Sequence, residues 1–262
     1  MLIEIISESR SRCPGIRNLL VLRNYVPLEQ ILFSKMTLFG SVYHHPKVKC
    51  LDSMLRSLIR HVAENSDQCC LTIRGKRVSF CEPTEYLYAT DEEFFNQVEG
   101  FGDEFVKKML ARFRRRDLFV RCLEISRRTV ENWDDYHRKG LMDLSADPER
   151  LHNAEQSIHL RLKGDVRGRC NLGEVLLSIP APPKIKSDFA YIQSTPQSPV
   201  ESVEEFFPVE QWTEAYAHNK WKGFVYGPRE YATAIRDSAV SFLRDEMSIR
   251  VDVAKSNRAC HM

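Results

Sequence analysis

The sequence predicts a mainly α-helical protein with one small β-hairpin and a C-terminal α+β lobe. Apolar residues recur at helical spacing through residues 28–62, a pattern that is typical of amphipathic helices. The segment LTIRGKRVSF (71–80) instead alternates around a turn at Gly75, which is typical of a hairpin. After Gly164 the pattern changes to strands that alternate with helices. This change predicts the α+β lobe.

Local signals divide the first part of the chain into its elements. A compact apolar segment predicts one short strand within residues 16–24. Pro46 disfavours helical geometry at His45, so the first helix is expected to break there. Asp91 and Asp103 stand where the N-cap of a helix favours a side-chain acceptor. The predicted helices cover residues 28–44, 47–63, 91–98, 103–115, 118–133 and 148–162.

We predict two parts with a boundary just after Gly164. Residues 1–165 form the helical region with the hairpin near 71–80, and residues 166–262 form the α+β lobe. Within the lobe, residues 183–205 are rich in Pro and Ser and predict an irregular excursion. A helix, the strand KGFVYG, a long helix and a last strand SIRVDV follow. The tail AKSNRACHM is expected to be loose, as chain termini commonly are.

The composition argues against several classes of protein. A net charge of +2 and a pI near 8.1 are too mild to indicate a nucleic-acid binder by themselves. No segment approaches the ~18 apolar residues of a membrane span, so no membrane contact is expected. The start MLIEIISESRSR lacks the features of a signal peptide. The eight cysteines include no C-x-x-C pair, which indicates a reducing compartment. We therefore expect a cytoplasmic or nuclear protein that is not secreted.

The histidines give little support for a metal site. His44 and His45 are adjacent, so on a helix their side chains point about 100° apart. His152 and His159 lie seven residues apart with Gln156 between them, and no H-E-x-x-H motif is present. Glycine-rich phosphate loops and a G-x-S-x-G elbow are also missing from the sequence. The residues alone therefore predict neither metal ligands nor catalytic residues.

An anion-binding surface has better support in the sequence than a metal site. Lys35, Phe39 and Tyr43 recur every four residues, so they share one face of a helix. A lysine head, an aromatic ring and a phenol suit a nucleotide, whose base stacks and whose phosphates need cations. The alternative is that the three residues only form the amphipathic face of a bundle. The arginine run at 114–116 either adds charge to an anion site or is a solvated helix end, where cations are favoured.

The segment EQILFSKMTLFGSVYHHPKVKCLDSML (29–55) resembles the helix pair that follows the catalytic core in HD-domain phosphohydrolases. That group includes the deoxynucleoside triphosphate triphosphohydrolases. The residues that fit the family pattern in register are Lys35, Phe39, Val42, Tyr43, His45, Met54 and Leu55. RRDLFVR resembles the R-x-L-F element of the family at Arg116, Leu118 and Phe119. The helix with Trp212 and Tyr216, the strand KGFVY and the long helix after it resemble the C-terminal lobe.

The resemblance implies roles for individual residues. The candidate substrate contacts are Lys35, Phe39, Tyr43 and His45. In the tetrameric, regulated members of the family, basic residues at the places of Arg23 and Arg116 contact an activating nucleotide. Two positions depart from the family pattern, because Phe39 stands where some members have a histidine and Pro46 replaces a residue that is commonly basic.

The resemblance also implies a divalent metal (Mg, Mn, Fe or Zn) in the full-length family, held by histidine, a His-Asp dipeptide and a distant aspartate. This chain contains no His-Asp dipeptide. We therefore expect the C-terminal part of such an enzyme, without a catalytic residue, metal ligand or cofactor of its own. Its expected partners are a deoxynucleoside triphosphate, once the core is supplied, and further copies of the chain.

Two alternatives remain open. One is a non-catalytic module that binds a nucleotide or a partner protein. The other is a nucleic-acid-binding protein that uses the basic turn of the hairpin (Arg74, Lys76 and Arg77) with the arginine run at 114–116. A steep dependence of binding on salt concentration would favour the second alternative.

Overall fold

A computed structural model describes residues 4–5, 19–21, 26–65, 70–73, 75–79, 90–100, 103–181, 191–193, 199, 201–202, 205 and 207–261. This part of the protein is mainly helical with a small β part, so the predicted fold class is confirmed. The chain divides into two compact units. Unit 1 comprises Met1–His44 with Pro182–Trp221, and unit 2 comprises His45–Ala181 with Lys222–Met262.

The elements are numbered in chain order. The helices are α1 (Val26–Leu38), α2 (Pro46–Asn65), α3 (Asp91–Glu99), α4 (Glu104–Arg115), α5 (Asp135–Ala146), α6 (Pro148–Leu160), α7 (Gly164–Arg169), α8 (Val209–Lys220), α9 (Ala232–Met247) and α10 (Val253–His261). A π-helical turn, Phe39–Tyr43, continues α1, and 3-10 turns occupy Leu172–Glu174 and Arg229–Tyr231. The strands are β1 (Glu4–Ile5), β2 (Leu19–Val21), β3 (Cys70–Ile73), β4 (Lys76–Ser79), β5 (Val120–Ser126), β6 (Leu176–Ser178), β7 (Tyr191–Gln193), β8 (Glu201–Ser202) and β9 (Lys222–Gly227).

The strands form separate sheets. In unit 2, β9 lies between β5 and β6 and pairs antiparallel with both. The hairpin predicted near 71–80 is the antiparallel pair β3–β4, whose turn residue Gly75 has a φ of 73°. Glycine adopts this left-handed conformation without the steric penalty of a Cβ atom. In unit 1, β2 pairs antiparallel with β1 and parallel with β7, and β8 pairs antiparallel with β7.

Side-chain caps fix where the helices of unit 2 begin. Asp103 accepts hydrogen bonds from the first turn of α4, and Asp147 does the same for α6, which opens with Pro148. Thr90 and Glu93 form a reciprocal capping box at the start of α3. Each cap satisfies backbone N–H groups that have no partner within the helix.

The core of unit 2 is built on the inner face of α2. Cys50, Met54, Leu58 and Val62 recur every four residues and are buried, as expected for one face of a helix. They pack in one cluster with α4 and with the aromatic side chains of β9. The other members of this cluster are Val98, Phe105, Val106, Met109, Leu110, Phe119, Leu176, Phe224 and Tyr226.

Three local predictions differ from the structure. Residues 118–133 were expected to continue as helix, but β5 is a strand that is buried along most of its length and pairs with β9. The sequence of β5, VRCLEIS, has neither a continuous apolar run nor a strict alternation, so its periodicity does not identify a strand. The tail, which was expected to be loose, forms α10 and buries Ser256. The last strand predicted within SIRVDV is reduced to one bridge between Val130 and Val251.

The two units differ from the division that was predicted at residue 165. Strand β5, before that position, pairs with β9, after it, and both belong to unit 2. The predicted boundary therefore lies within the span of unit 2. Most of the Pro/Ser-rich excursion predicted at 183–205, together with Arg23 and Arg74, lies outside the described residues.

Within the described residues, none of the helices combines the length and the apolar character that crossing a membrane requires.

Candidate functional site

Three of the predicted substrate contacts lie in unit 1, on α1 and the π-helical turn that continues it. Lys35 and Tyr43 are exposed, and 55% of Tyr43 is accessible to solvent. The rings of Phe39 and Tyr43 are 5.4 Å apart, and the rings of Phe39 and His44 are 6.0 Å apart. These rings form an aromatic cluster with an exposed edge.

The π-helical turn brings these rings together. The backbone N–H of His44 donates to the carbonyl of Phe39 over 2.8 Å, which is the i to i+5 bond of a π-helix,. Gly40 allows this turn to approach α8, because a Cβ atom there would collide with the phenol oxygen of Tyr216. Phe33 of α1 also stacks on Trp212 of α8, with ring centroids 4.8 Å apart. Insertions of this kind in α-helices are frequent at functional sites.

Two other predicted residues, His45 and Arg116, line the same open cleft in unit 2, which has a volume of about 890 Å³. The cations that line it are Lys47, Arg116, Arg121 and Arg229. The remaining lining residues are His45, Pro46, Cys50, Leu51, Phe113, Asp117, Leu118, Phe119, Val120, Tyr226 and Cys260. We call this the basic cleft.

The charges of the basic cleft are largely uncompensated. Asp117 is the one carboxylate among its described lining residues, and it pairs with Arg112 over 2.7 Å. The side chains of Lys47, Arg116 and Arg229 form no ion pair or hydrogen bond within the described ranges. Cations that converge without carboxylate partners favour an anion with several oxygen atoms, such as a polyphosphate.

Buried contacts fix the walls of the basic cleft. Tyr226 of β9 donates its phenol hydrogen to the carbonyl of Pro46 over 2.7 Å, and Cys50 donates to the carbonyl of Phe119 over 3.3 Å. Burial raises the pKa of both groups, to about 12 for Cys50. Both side chains therefore stay protonated at neutral pH and keep their roles as donors. The start of α2 is thereby joined to β9 and to the segment before β5.

The ring of His45 has a defined tautomer. Its Nδ1 accepts a hydrogen bond from the backbone N–H of Lys47 over 3.2 Å. An accepting Nδ1 places the hydrogen of the neutral ring on Nε2, so that Nε2 is available as a donor.

Arg116 has an unusual backbone conformation. It follows the last residue of α4 with a φ of 55°, and its N–H donates to Phe113 while that of Asp117 donates to Arg112. This pair of hydrogen bonds is the Schellman motif, in which glycine is the preferred residue. An arginine there costs roughly 1 kcal/mol or more of backbone strain. Glycine at this position would relieve the strain but would remove one cation from the basic cleft,.

A divalent metal does not fit the described residues. Across those ranges, the structure contains no group of three or more His, Cys, Asp or Glu side chains that could hold an ion. His152 instead contacts Gln156 over 2.9 Å, and His159 contacts the carbonyl of Cys170 over 2.8 Å. No step of a reaction is therefore assigned to a metal in this part of the chain.

The sequence did not single out Arg121 or Arg229 as site residues. Arg121 follows the R-x-L-F element, but the prediction of a helix there concealed its position in β5. Arg229 lies just after β9, and the pairing of β9 with β5 brings both to the cleft. Arg114 of the arginine run is engaged elsewhere, because it forms two hydrogen bonds of 2.7 and 2.8 Å to Glu99.

Comparisons with known proteins add one finding. A model of the protein family described as "HD associated region" matches residues 19–252. The match spans α1, α2 and the sheet of unit 2, and so covers the aromatic cluster and all of the basic cleft except Cys260. No curated protein matches the chain.

Proposed function

Because the chain belongs to the family of HD-associated regions, we propose that it serves an HD-domain phosphohydrolase that acts on deoxynucleoside triphosphates. Its role is to bind nucleotide and to supply contacts for assembly. The observation that carries this proposal is the convergence of Lys47, Arg116 and Arg229 on the basic cleft without carboxylate partners in the described ranges. The triphosphate group is the part of the ligand that this cleft suits best.

The basic cleft has the features of a regulatory nucleotide site. It contains Arg116, the candidate contact of an activating nucleotide, together with His45. A volume of about 890 Å³ lies within the range of clefts that hold small ligands and cofactors. Charge-assisted hydrogen bonds from arginine suit phosphate oxygens, and Nε2 of His45 adds one further donor.

The aromatic cluster of unit 1 is proposed as a separate contribution to the substrate pocket. Lys35 offers a cation, Phe39 a ring face and Tyr43 a phenol. The exposure of Tyr43 leaves its phenol accessible to a ligand, as this role requires. The divalent metal implied by the resemblance would belong to the HD domain, so hydrolysis is not proposed for the described residues alone.

A surface for assembly is supported by the outer face of α2. Val48, Leu51 and Ile59 are each about 40% exposed, and their spacing places them on one side of the helix. Apolar side chains that share one exposed face are typical of protein–protein contacts. We propose that this face contributes contacts between copies of the chain.

The test is binding of each deoxynucleoside triphosphate to the full chain, measured by calorimetry, with the matching deoxynucleoside as a comparison. We expect the triphosphate to bind and Arg229→Ala to lower its affinity by about tenfold, since hydrogen bonds to charged groups contribute about 1.5–3 kcal/mol. Lys139→Ala, which removes an exposed lysine of α5 away from the cleft, is the matched control and should leave the affinity unchanged. Equal binding of nucleoside and triphosphate, or equal effects of the two variants, would contradict the proposal.

A second measurement addresses the nucleic-acid alternative. Single-stranded and double-stranded oligonucleotides should compete weakly with triphosphate, because Arg114 is already paired with Glu99. Tight oligonucleotide binding with a steep salt dependence would favour the nucleic-acid alternative instead. With Mg²⁺ or Mn²⁺ present, we expect the chain alone to release no phosphate or triphosphate.

A further inference from the structure

The guanidinium of Arg121 belongs both to the basic cleft and to the end of α10. Its Nη2 donates to the carbonyl of Cys260 over 2.8 Å, and both residues line the cleft. Arg121 therefore touches the last turn of the C-terminal helix and the space where we place the anion. No other side-chain hydrogen bond of Arg121 is formed within the described ranges, so most of its five N–H donors remain available.

A β-bulge sets the position of Arg121. Along β5, Arg121 is opposite Tyr226 and Leu123 is opposite Val225, so the register shifts by one residue between them. The extra residue is Cys122. Bulges of this kind change the direction in which neighbouring side chains point and are common next to functional sites.

Buried contacts hold α10 against β5. Ser256 is fully buried, accepts a hydrogen bond from the backbone N–H of Glu124 over 2.9 Å and donates to the carbonyl of the same residue over 3.2 Å. On the other side, Arg236 of α9 donates to the side chain of Asn257 over 3.2 Å. These contacts hold α10 where the carbonyl of Cys260 meets Arg121.

The charges where the end of α10 meets the basic cleft favour a link between docking of α10 and anion binding. The C-terminal carbonyls of a helix carry a partial negative charge, which would repel an anion in the adjoining cleft. The guanidinium of Arg121 donates to one of these carbonyls, that of Cys260, and its positive charge opposes their partial negative charge. We propose that α10 positions Arg121 for anion binding, so that docking of α10 and binding of triphosphate in the basic cleft stabilise each other. This inference rests on the proposed function of the cleft.

The experiment uses the full chain and inorganic triphosphate as the probe. Calorimetry gives the affinity, and hydrogen exchange of the α10 amides shows how firmly the helix is docked with and without triphosphate. We expect saturating triphosphate to slow exchange in α10 several-fold, while exchange in α5, which lies outside the cleft, stays the same. In Arg121→Met, triphosphate should no longer slow exchange in α10. Triphosphate should still bind this variant through the other cations of the cleft, but more weakly.

The positioning role is tested away from the cleft. Ser256→Ala loosens α10 without touching the anion, and we expect it to lower triphosphate affinity by about fivefold, the lower end of usual coupling between sites. Ser241→Ala, at a half-buried serine of α9 that does not line the cleft, is the matched control and should have no effect. Asn257→Ala provides a milder second variant with a smaller loss of affinity in the same direction.

The outcomes separate the two proposals. Triphosphate that binds the wild-type chain with no protection of α10, and with equal affinity for Ser256→Ala, would overturn the coupling and leave the basic cleft as a nucleotide site. A wild-type chain that binds no triphosphate would overturn the nucleotide site and the coupling together. Protection of α10 that survives Arg121→Met would show that another contact carries the effect, and would overturn the role of Arg121.

Discussion

Arg56 and Glu155 form an ion pair of 2.6 Å that joins α2 to α6. The same carboxylate oxygen accepts a hydrogen bond of 2.9 Å from the backbone N–H of Leu177, and Arg56 donates to the carbonyl of that residue over 3.1 Å. Glu155 is buried, while Arg56 reaches partly into solvent. The pair therefore ties two helices to β6 of the central sheet.

Removal of this carboxylate should weaken the fold. Glu155→Ala leaves the N–H of Leu177 and part of Arg56 unsatisfied, and we expect a loss of about 2–3 kcal/mol in the free energy of unfolding. Urea unfolding measures the loss as a lower midpoint at unchanged slope. Glu149→Ala, at an exposed position of the same helix, should change stability by less than about 0.5 kcal/mol. Equal losses for the two variants would show that the contacts of Glu155 with Arg56 and Leu177 contribute little to stability.

The left-handed backbone at Arg116 separates stability from binding. Arg116→Gly removes the strain of a Cβ atom at this position, so the free energy of unfolding should stay the same or rise by up to about 1 kcal/mol. The same change should reduce triphosphate affinity by about tenfold, because one cation of the basic cleft is lost. Both quantities are measured by urea unfolding and calorimetry.

Arg115→Gly is the matched control for this substitution. Arg115 is the last residue of α4, where glycine should cost about 1 kcal/mol of helix stability. A destabilised Arg116→Gly variant would show that the side chain of Arg116 supports the fold rather than a ligand.

Gly40 should resist substitution because of its contact with Tyr216. In Gly40→Ala the new methyl group would meet the phenol oxygen, and we expect a loss of about 1–3 kcal/mol in stability. Adding Tyr216→Phe removes that oxygen and should restore most of the loss. Gly168→Ala is the control, because a Cβ atom there has no neighbour within 4 Å. Thermal unfolding measures the stability of each variant. A double variant that is no more stable than Gly40→Ala would contradict the explanation.

The cap of α5 should respond to acid. The backbone N–H of His137 donates to Asp134 and, with a contact from the imidazole, holds the pKa of this carboxylate below its ordinary value of 3.8. The stabilisation by the cap is therefore present above pH 3.8 and is lost as the pH falls through the lower pKa of the folded state. Exchange of the α5 amides, followed against pH, measures this loss. Asp134→Asn retains an accepting oxygen that does not titrate, and should remove the acid dependence.

The sequence predicts elements best where a local signal is sufficient. Asp103 and Pro148 mark the starts of α4 and α6 because capping and proline geometry depend only on neighbouring residues,. The identity of β5 depends on its pairing with β9, about 100 residues further along the chain, and no local pattern carries that information. The same pairing explains why a boundary at residue 165 does not separate the two units.

The candidate site shows the same limit. His45 and Arg116 follow from the resemblance, and the structure places both in the basic cleft. Arg121 and Arg229 reach that cleft through the register of β5 and β9, which the sequence does not reveal. Whether Lys35, Phe39 and Tyr43 contact substrate stays a prediction, and so does a role for Arg23.

The position of β9 in its sheet has a consequence for the order in which the protein assembles during translation. β5 and β6 both pair with β9, so each remains without its partner until residues 222–227 have left the ribosome. These two strands lie about 50 residues apart in the sequence and are largely buried in the folded protein. Both wait for β9 while residues Pro182–Trp221 of unit 1 are synthesised. Such distant pairing slows folding and exposes unpaired strand edges in the meantime. Unit 2 is therefore the part of the chain for which assistance by a chaperone during synthesis would matter most.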